Sequence, residues 1–146
     1  MTELLHILRL SEDASGESHF DNLTIARSLQ DFVPPAHLLF ISTVEKASGY
    51  AVLRLPVGWV GERHPSPHRQ LLFCLSGALK VTASDGDIRM VNAGDAWLME
   101  DTRGVGHESE VTSHKPVDAV VIMLDEPQQN AAGMIPAVKL SAANDE

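Results

Sequence analysis

The chain has 146 residues, 44% of them hydrophobic and 21% charged, which is the length and balance of one globular domain and excludes wholesale disorder. Eleven basic residues against 20 acidic ones leave a net charge of −9 with no Lys/Arg cluster. That excludes nucleic acid and anionic membrane surfaces as partners, since both are held by basic patches that displace counterions. The single cysteine, Cys74, excludes an intramolecular disulfide and any multi-cysteine zinc site.

The N-terminal run MTELLHILRLSEDASGE has no basic n-region, and its short apolar segment is followed by acids, so it does not read as a signal peptide. No apolar stretch approaches the roughly 18 to 20 residues of a membrane span. The expected compartment is therefore the cytoplasm. Within that run, Glu3 to Leu10 is compatible with helix or strand; a strand is preferred, because the apolar spacing has no firm helical period and the next residues are turn-rich. NLTIARSLQDF (Asn22 to Phe32) is expected to contain a helical turn that stops at Pro34-Pro35.

From residue 37 onward short β-like runs alternate with turn chemistry. HLLFISTV (His37 to Val44) and YAVLRLPV (Tyr50 to Val57) read as strands separated by a turn at Ser48-Gly49. LLFCLS (Leu71 to Ser76) is continuously apolar, as in a strand covered on both faces or packed at an interface. ALKVTA then alternates, with Leu79, Val81 and Ala83 on the dry face. Asp85-Gly86 is a hairpin signal, because glycine takes positive φ without a Cβ clash. IRMV, a turn at Asn92 to Asp95, AWLM and VDAVVIML (Val117 to Leu124) complete the series. The tail DEPQQNAAGMIPAVKLSAANDE is expected to be loosely structured, with MIPAVKL as a patch that would dock on the barrel or a partner.

The pattern predicts a small all-β sandwich or barrel forming a single domain over residues 1–146. Its core runs from about 37 to 124, after an N-terminal strand and loop over 1–36 and before a C-terminal tail over 125–146. Leu72, Cys74, Leu79 and Val81 are expected to face the core or an interface. Core packing, not nucleophilic chemistry, is the expected role of Cys74. Asp85 and Asp87 are explained by the hairpin, and a surface or structural role is expected for His19. Trp59 and Trp97 sit beside strand ends and are expected to fill the barrel interior or an interface.

The stretch GWVGERHPSPHRQLLFCLSG, Gly58 to Gly77, resembles the first motif of the cupin superfamily: Gly, five residues, His, one, His, three or four, Glu, six, Gly. Gly58, His64 and Gly77 keep the frame, while Ser66 stands at the second histidine and Gln70 at the glutamate. Sixteen residues further on, GDAWLMEDTRGVGHESEV resembles the second motif: Gly, five, Pro, one, Gly, two, His, three, Asn. Gly94 fits, Glu100 and Thr102 replace the proline and glycine, His107 comes two residues late, and Val111 stands at the asparagine. With GESHF (Gly16 to Phe20), the set resembles small single-domain bacterial cupins without an assigned activity. The resemblance implies a double-stranded β-helix, a jelly-roll-like barrel, and a homodimer.

Metal-binding cupins hold their ion with three imidazoles and a carboxylate. By resemblance this chain keeps His64 and His107, but exchanges the second imidazole for a hydroxyl and the anionic carboxylate for a neutral amide, both weak ligands for transition metals. His68 lies on the same face of a straight strand as His64 but roughly 13 Å away at about 3.3 Å per residue, so it shares an ion only if the chain reverses at Pro65 to Pro67. Glu62, Glu108 and Glu110 are carboxylates near enough to close a site, and no spacing rule selects one. Arg103, in the run TRGVGH with its two flexible glycines, would reach the mouth to hold a carboxylate ligand, or would pair with Glu108 or Glu110.

The favoured reading is a cupin barrel of unassigned activity that binds a small organic molecule in a polar-mouthed pocket formed by His64, Ser66, Gln70, His107 and Arg103. In it His64, Gln70 and His107 hydrogen-bond one another or the ligand. No catalytic residue is assigned and no firmly held cofactor or metal is expected, weak occupancy by a divalent transition metal being left open. The alternative is a metal-dependent dioxygenase or isomerase that uses His64 and His107 plus an unidentified carboxylate.

Overall fold

Strand residues that alternate between a dry and a wet face bury their apolar half only when two sheets close on each other, and that requirement shapes this chain. A computed structural model describes residues 1–126, and within them every regular element is a strand. These are β1 (Thr2–Glu12), β2 (Ser18–Gln30), β3 (Leu39–Ile41), β4 (Ala47–Leu55), β5 (Val60–His64), β6 (Gln70–Ser76), β7 (Ala78–Ala83), β8 (Ile88–Asn92), β9 (Ala96–Met99), β10 (His107–Val111) and β11 (Val117–Leu124). Two compact units divide them: Leu8–Asp21 with Ala47–Asp125, and Met1–Ile7 with Asn22–Lys46.

The larger unit is the double-stranded β-helix. One sheet runs β1-β9-β6-β11-β4, and the other runs β5-β10-β7-β8. The β1–β9 pairing is parallel, Leu8 facing Trp97 and Leu10 facing Met99, whereas the other pairings are antiparallel. Leu10, Leu72, Cys74, Leu79, Val81 and Trp97 are buried in one core cluster, as expected for those named from the sequence. The Asp85-Gly86 hairpin forms, with Gly86 at φ +94 and the Asp87 backbone N–H donating to Asp85 Oδ1 at 2.9 Å.

In the smaller unit β2 pairs with β3, Leu29 opposite Phe40, and the Leu29 N–H reaches the Met1 carbonyl at 3.4 Å. His6 Nδ1 and Thr24 Oγ1 lie 3.0 Å apart. The Pro34-Pro35 peptide is cis.

Three local expectations are corrected. Asn22 to Gln30 contains no helical turn and is strand throughout, its backbone groups being engaged across the sheet instead of along the chain. Ser48-Gly49 is not a turn: β11 is long enough to carry the pairing over it, Met123 opposite Gly49 and Leu124 opposite Ala47, so β4 begins at Ala47. Within a single chain the apolar run of β6 is covered on one face only, which leaves packing at an interface as the reading of its other face. Leu72 and Cys74 are buried, but Phe73 and Leu75 keep 39% and 59% exposure on the outer side. β3 is also shorter than the run His37 to Val44, at Leu39–Ile41. The expectation for the tail concerns residues that lie mostly outside those described.

Burial pushes the Cys74 thiol above its ordinary value, and its Sγ donates to the Ser76 carbonyl at 3.4 Å, consistent with a packing role. Truncating Leu79 to alanine should cost about 2–5 kcal/mol through the cavity it leaves. Ile88→Ala on the exposed side of β8 should change stability by about 0.5 kcal/mol or less. Urea unfolding followed by circular dichroism compares the two; equal losses would contradict the inward and outward assignment of β7 and β8.

Candidate functional site

Strand pairing brings the two motif histidines together. His64 ends β5, His107 begins β10, and they stand opposite one another in the antiparallel ladder, with a bulge between His107 and Ser109. Their ring centroids are 5.1 Å apart at an interplanar angle of 47°. The residue before His107 must be glycine: Gly106 has φ +87, and a Cβ there would collide with the His64 carbonyl. His64 is exposed, whereas His107 is buried, with Trp97 against it edge to face at 5.3 Å.

Beside this pair lies a group that sequence reasoning missed. Asp101 is fully buried, and each of its carboxylate oxygens is answered. Oδ1 accepts from the Ser66 hydroxyl at 2.7 Å, and Oδ2 accepts from His107 Nδ1 at 2.6 Å. The Ser66 backbone N–H also donates to the Asp101 carbonyl at 2.9 Å. Ser66, read from the sequence as a lost ligand, is a hydroxyl donor to this carboxylate. A serine at the usual imidazole position together with an aspartate six residues before His107 is the only trace of the cluster in the sequence.

The remaining candidates go elsewhere. His64 Nδ1 donates to the Glu62 carbonyl at 2.6 Å. Gln70 shares the inner face of β6 with Leu72 and Cys74, and its amide Nε2 donates to Met99 Sδ at 3.4 Å. The mutual hydrogen bonding expected of His64, Gln70 and His107 is thus replaced by a separate partner for each. Arg103 is exposed, and its backbone N–H donates to Glu12 Oε2 at 3.0 Å. Neither expected acid pairs with it: Glu108 lies 3.1 Å from Arg63, and Glu110 lies 3.6 Å from Lys80. His68 and Glu62 are exposed.

This donor set does not fit the metal held by metal-binding cupins. The Ser66 hydroxyl and both Asp101 oxygens are engaged with one another and with His107, and the Gln70 amide stands where an anionic ligand is needed. Among the described residues no group of three or more His, Cys, Asp or Glu side chains is arranged to hold a metal ion.

The loop leading into His107 is fastened to the β1–β2 turn. Glu12 Oε1 accepts from the Gly104 N–H at 2.7 Å, Val105 N–H donates to the Gly16 carbonyl at 2.9 Å, and the Ser18 hydroxyl donates to the Gly106 carbonyl at 2.7 Å. His19 holds the same turn against the β7–β8 hairpin, with Nε2 at 2.7 Å from Asp13 Oδ2 and Nδ1 at 2.8 Å from Asp85 Oδ2. Both ring nitrogens donate only when the imidazole is protonated. Hydrogen bonds to Asp13 and then Asp85 raise the pKa of His19. Asp13 is held well below the usual carboxylate range by the Ser15 hydroxyl and then by His19. Asp85 is lowered by the Asp87 N–H first and by His19 among its further causes.

The family model described as Cupin domain matches residues 51–123. No curated protein matches the chain. Among solved structures, a conserved protein of unknown function from Streptococcus pyogenes is 19% identical with a TM-score of 0.43, over 58% of this chain and 70% of that one. A sugar phosphate isomerase from a cupin superfamily, from Silicibacter pomeroyi, is 20% identical with a TM-score of 0.45, over 56% of this chain and 53% of that one. A cupin domain from Bordetella pertussis is 15% identical with a TM-score of 0.43, over 58% of this chain and 95% of that one. Likenesses this distant carry no argument about ligand or reaction.

Two outcomes follow from the geometry. The His19 brace contributes fully below the unfolded histidine value of about 6.5 and is lost as pH rises through the raised value in the fold; on the acid side it fades as Asp13 and Asp85 protonate. The melting-temperature gap between wild type and His19→Asn should therefore be widest in mildly acidic buffer and narrow on the alkaline side; a gap that widens with pH would contradict it. Asp101→Ala strands the Ser66 hydroxyl and the His107 Nδ1–H in the interior and should cost about 1–3 kcal/mol for each stranded donor in denaturant unfolding. A change within about 0.5 kcal/mol would show that the cluster carries no structural weight.

Proposed function

The chain belongs to the cupin domain family, and from that premise we propose that it binds a small organic molecule at the mouth of its barrel without a tightly held metal. The observation that carries this reading is the buried Asp101–His107 pair with Ser66 on its other oxygen. Sealing a carboxylate and an imidazole inside a small barrel is costly, and apolar residues of the same volume would often serve stability as well or better. Retaining them makes sense where His107 must present a polar edge in a fixed orientation. Asp101 sets the ring, Ser66 sets Asp101, and exposed His64 flanks the ring from β5. Gln70 contributes from the inner face of β6, and Arg103 stands on the loop that leads into His107.

The metalloenzyme alternative has less support. It needs a carboxylate beside His64 and His107, while Glu108 and Glu110 are engaged with Arg63 and Lys80 and Asp101 is saturated by its own donors. Further parts of the proposal are a homodimer and a cytoplasmic location. In support of the dimer, Tyr50, Val52, Phe73 and Leu75 leave exposed apolar surface on the outer side of β4 and β6. Among the described residues no helix is long and apolar enough to cross a membrane.

Elemental analysis of protein purified without added metal should find a transition metal well below one per chain. Near-stoichiometric iron, zinc, manganese, copper or nickel surviving a chelator would favour the alternative. A fragment screen by ligand-observed NMR should give hits that His107→Ala abolishes while the far-UV spectrum is retained; hits indifferent to that substitution would move the site away from the mouth. Light scattering should give the mass of two chains.

A further inference from the structure

The two sheets of the larger unit differ in what they turn outward. On the β5-β10-β7-β8 sheet the outward positions of β7 and β10 include Lys80, Thr82, Glu108 and Glu110, and Lys80 lies 3.6 Å from Glu110. That is the polar outer face of an antiparallel sheet with one side in water. The outer face of β4, β11 and β6 carries apolar rows instead. Strand register sets Val52, Val120 and Phe73 side by side in one row, and Tyr50, Ile122 and Leu71 in the next. Tyr50 is 76% exposed and Val52 is 68% exposed. The row beyond Val52 is Arg54, Asp118 and Ser76, which is polar but closed on itself. Arg54 Nε and Nη2 donate to Asp118 at 2.7 and 2.9 Å, and the Ser76 hydroxyl donates to Asp118 Oδ2 at 3.4 Å. A contiguous apolar surface with a polar rim marks a contact with another protein.

The charges at the two ends of β11 select the occupant. The chain enters the strand from exposed Lys115, at the end where Arg54 pairs with Asp118, and leaves it through exposed Asp125 and Glu126. Two cations thus face one carboxylate at the first end, while acids stand at the other. A face with opposite ends of opposite sign complements a second copy of itself. Two copies can stack about a twofold axis lying either along the strands or across them. An axis along the strands would bring the acidic ends together in chains that each carry a net charge of −9. An axis across the strands sets each acidic end over the partner's basic end.

Resting on the homodimer reading, we propose that this face binds a second copy of the chain, stacked sheet on sheet about a twofold axis that crosses the strands between the two apolar rows. Val52 then lies over the partner's Tyr50, Val120 over the partner's Ile122, and Phe73 over the partner's Leu71. Stacked sheets are about 10 Å apart, so the opposite charges at the rim meet within about one Debye length at 0.1 M salt. The Arg54–Asp118 pair, already satisfied within its own chain, borders the contact without needing a charge from the partner.

The test mixes carbon-13-labelled and unlabelled full-length protein and records isotope-filtered NOE spectra, which report contacts between copies only. Tyr50 is the only tyrosine, so its ring signals need no further assignment. They should show contacts to the Val52 methyls of the other copy. In light scattering over a dilution series, Val52→Lys should weaken association about a hundredfold, because it presses an unpaired ammonium into an apolar contact. Ile88→Lys, on the exposed side of β8 in the other sheet, should leave association unchanged. Contacts from Tyr50 to Leu71 of the other copy would overturn the crossing axis. A dimer with no Tyr50 contacts between copies, and unmoved by Val52→Lys, would overturn the stacking and leave the homodimer reading standing. Contacts from Tyr50 to residues 134–140 of its own chain would assign the face to the C-terminal segment and overturn the proposal. Wild-type protein that scatters as a monomer throughout the series would overturn both readings. The NOE measurement uses wild-type protein and holds whether or not either variant folds.

Discussion

A carboxyl group sealed from water must have its oxygens answered from inside the protein, because an unanswered one costs more than most single contacts return. Asp101 imposes that condition where the turn after β5 meets the head of β10. Its answers come from two segments remote from each other in the chain, Ser66 in the turn after β5 and His107 at the head of β10. The turn is tied a second time through the Ser66 N–H, and the pairing of His64 with His107 closes the same junction from the strand side. Gly106 lets these segments approach, since any side chain there would strike the His64 carbonyl.

The surrounding fold keeps that junction in place by means independent of the core. The β1–β2 turn supplies Glu12, Gly16 and Ser18 to the backbone of the loop before His107, so the loop is held by directed hydrogen bonds despite its glycines. His19 draws the same turn toward the β7–β8 hairpin with two carboxylates. Beneath, the apolar faces of β6, β7 and β9 fill the barrel, and Trp97 joins the two regimes: its ring packs in the core while its edge meets His107.

Parts of the site were legible from spacing. His64 and His107 were placed by the glycine frames of two motifs, and a ladder pairing then makes them neighbours. Ser66 was visible as an exchange but not as a donor, because its acceptor lies 35 residues away and is reached only when β9 and β6 are side by side. Asp101 reads in sequence as one more acid in a polar loop, with nothing to mark it as buried. Arg103 was legible only in part: Gly104 and Gly106 after it suggested reach, whereas its backbone is pinned to Glu12, and Glu108 and Glu110 pair with Arg63 and Lys80 instead.

By itself the sequence determined the β class, the hairpin at Asp85-Gly86, the inward set Leu72, Cys74, Leu79 and Val81, and the loss of the usual metal-binding ligands, because these depend on period-two alternation, local turn chemistry and residue identity. Tertiary structure alone decided that Asn22 to Gln30 is strand and that β4 runs through Ser48-Gly49, since each depends on which strand lies alongside. It alone also decided how the polar groups around His107 pair, making Asp101 the partner of Ser66 and His107 and leaving the Trp97 N–H without one among the described residues. Hydrogen-bond demand belongs to a residue type and can be read from a sequence, but its satisfaction is a matter of angstroms between segments far apart in the chain.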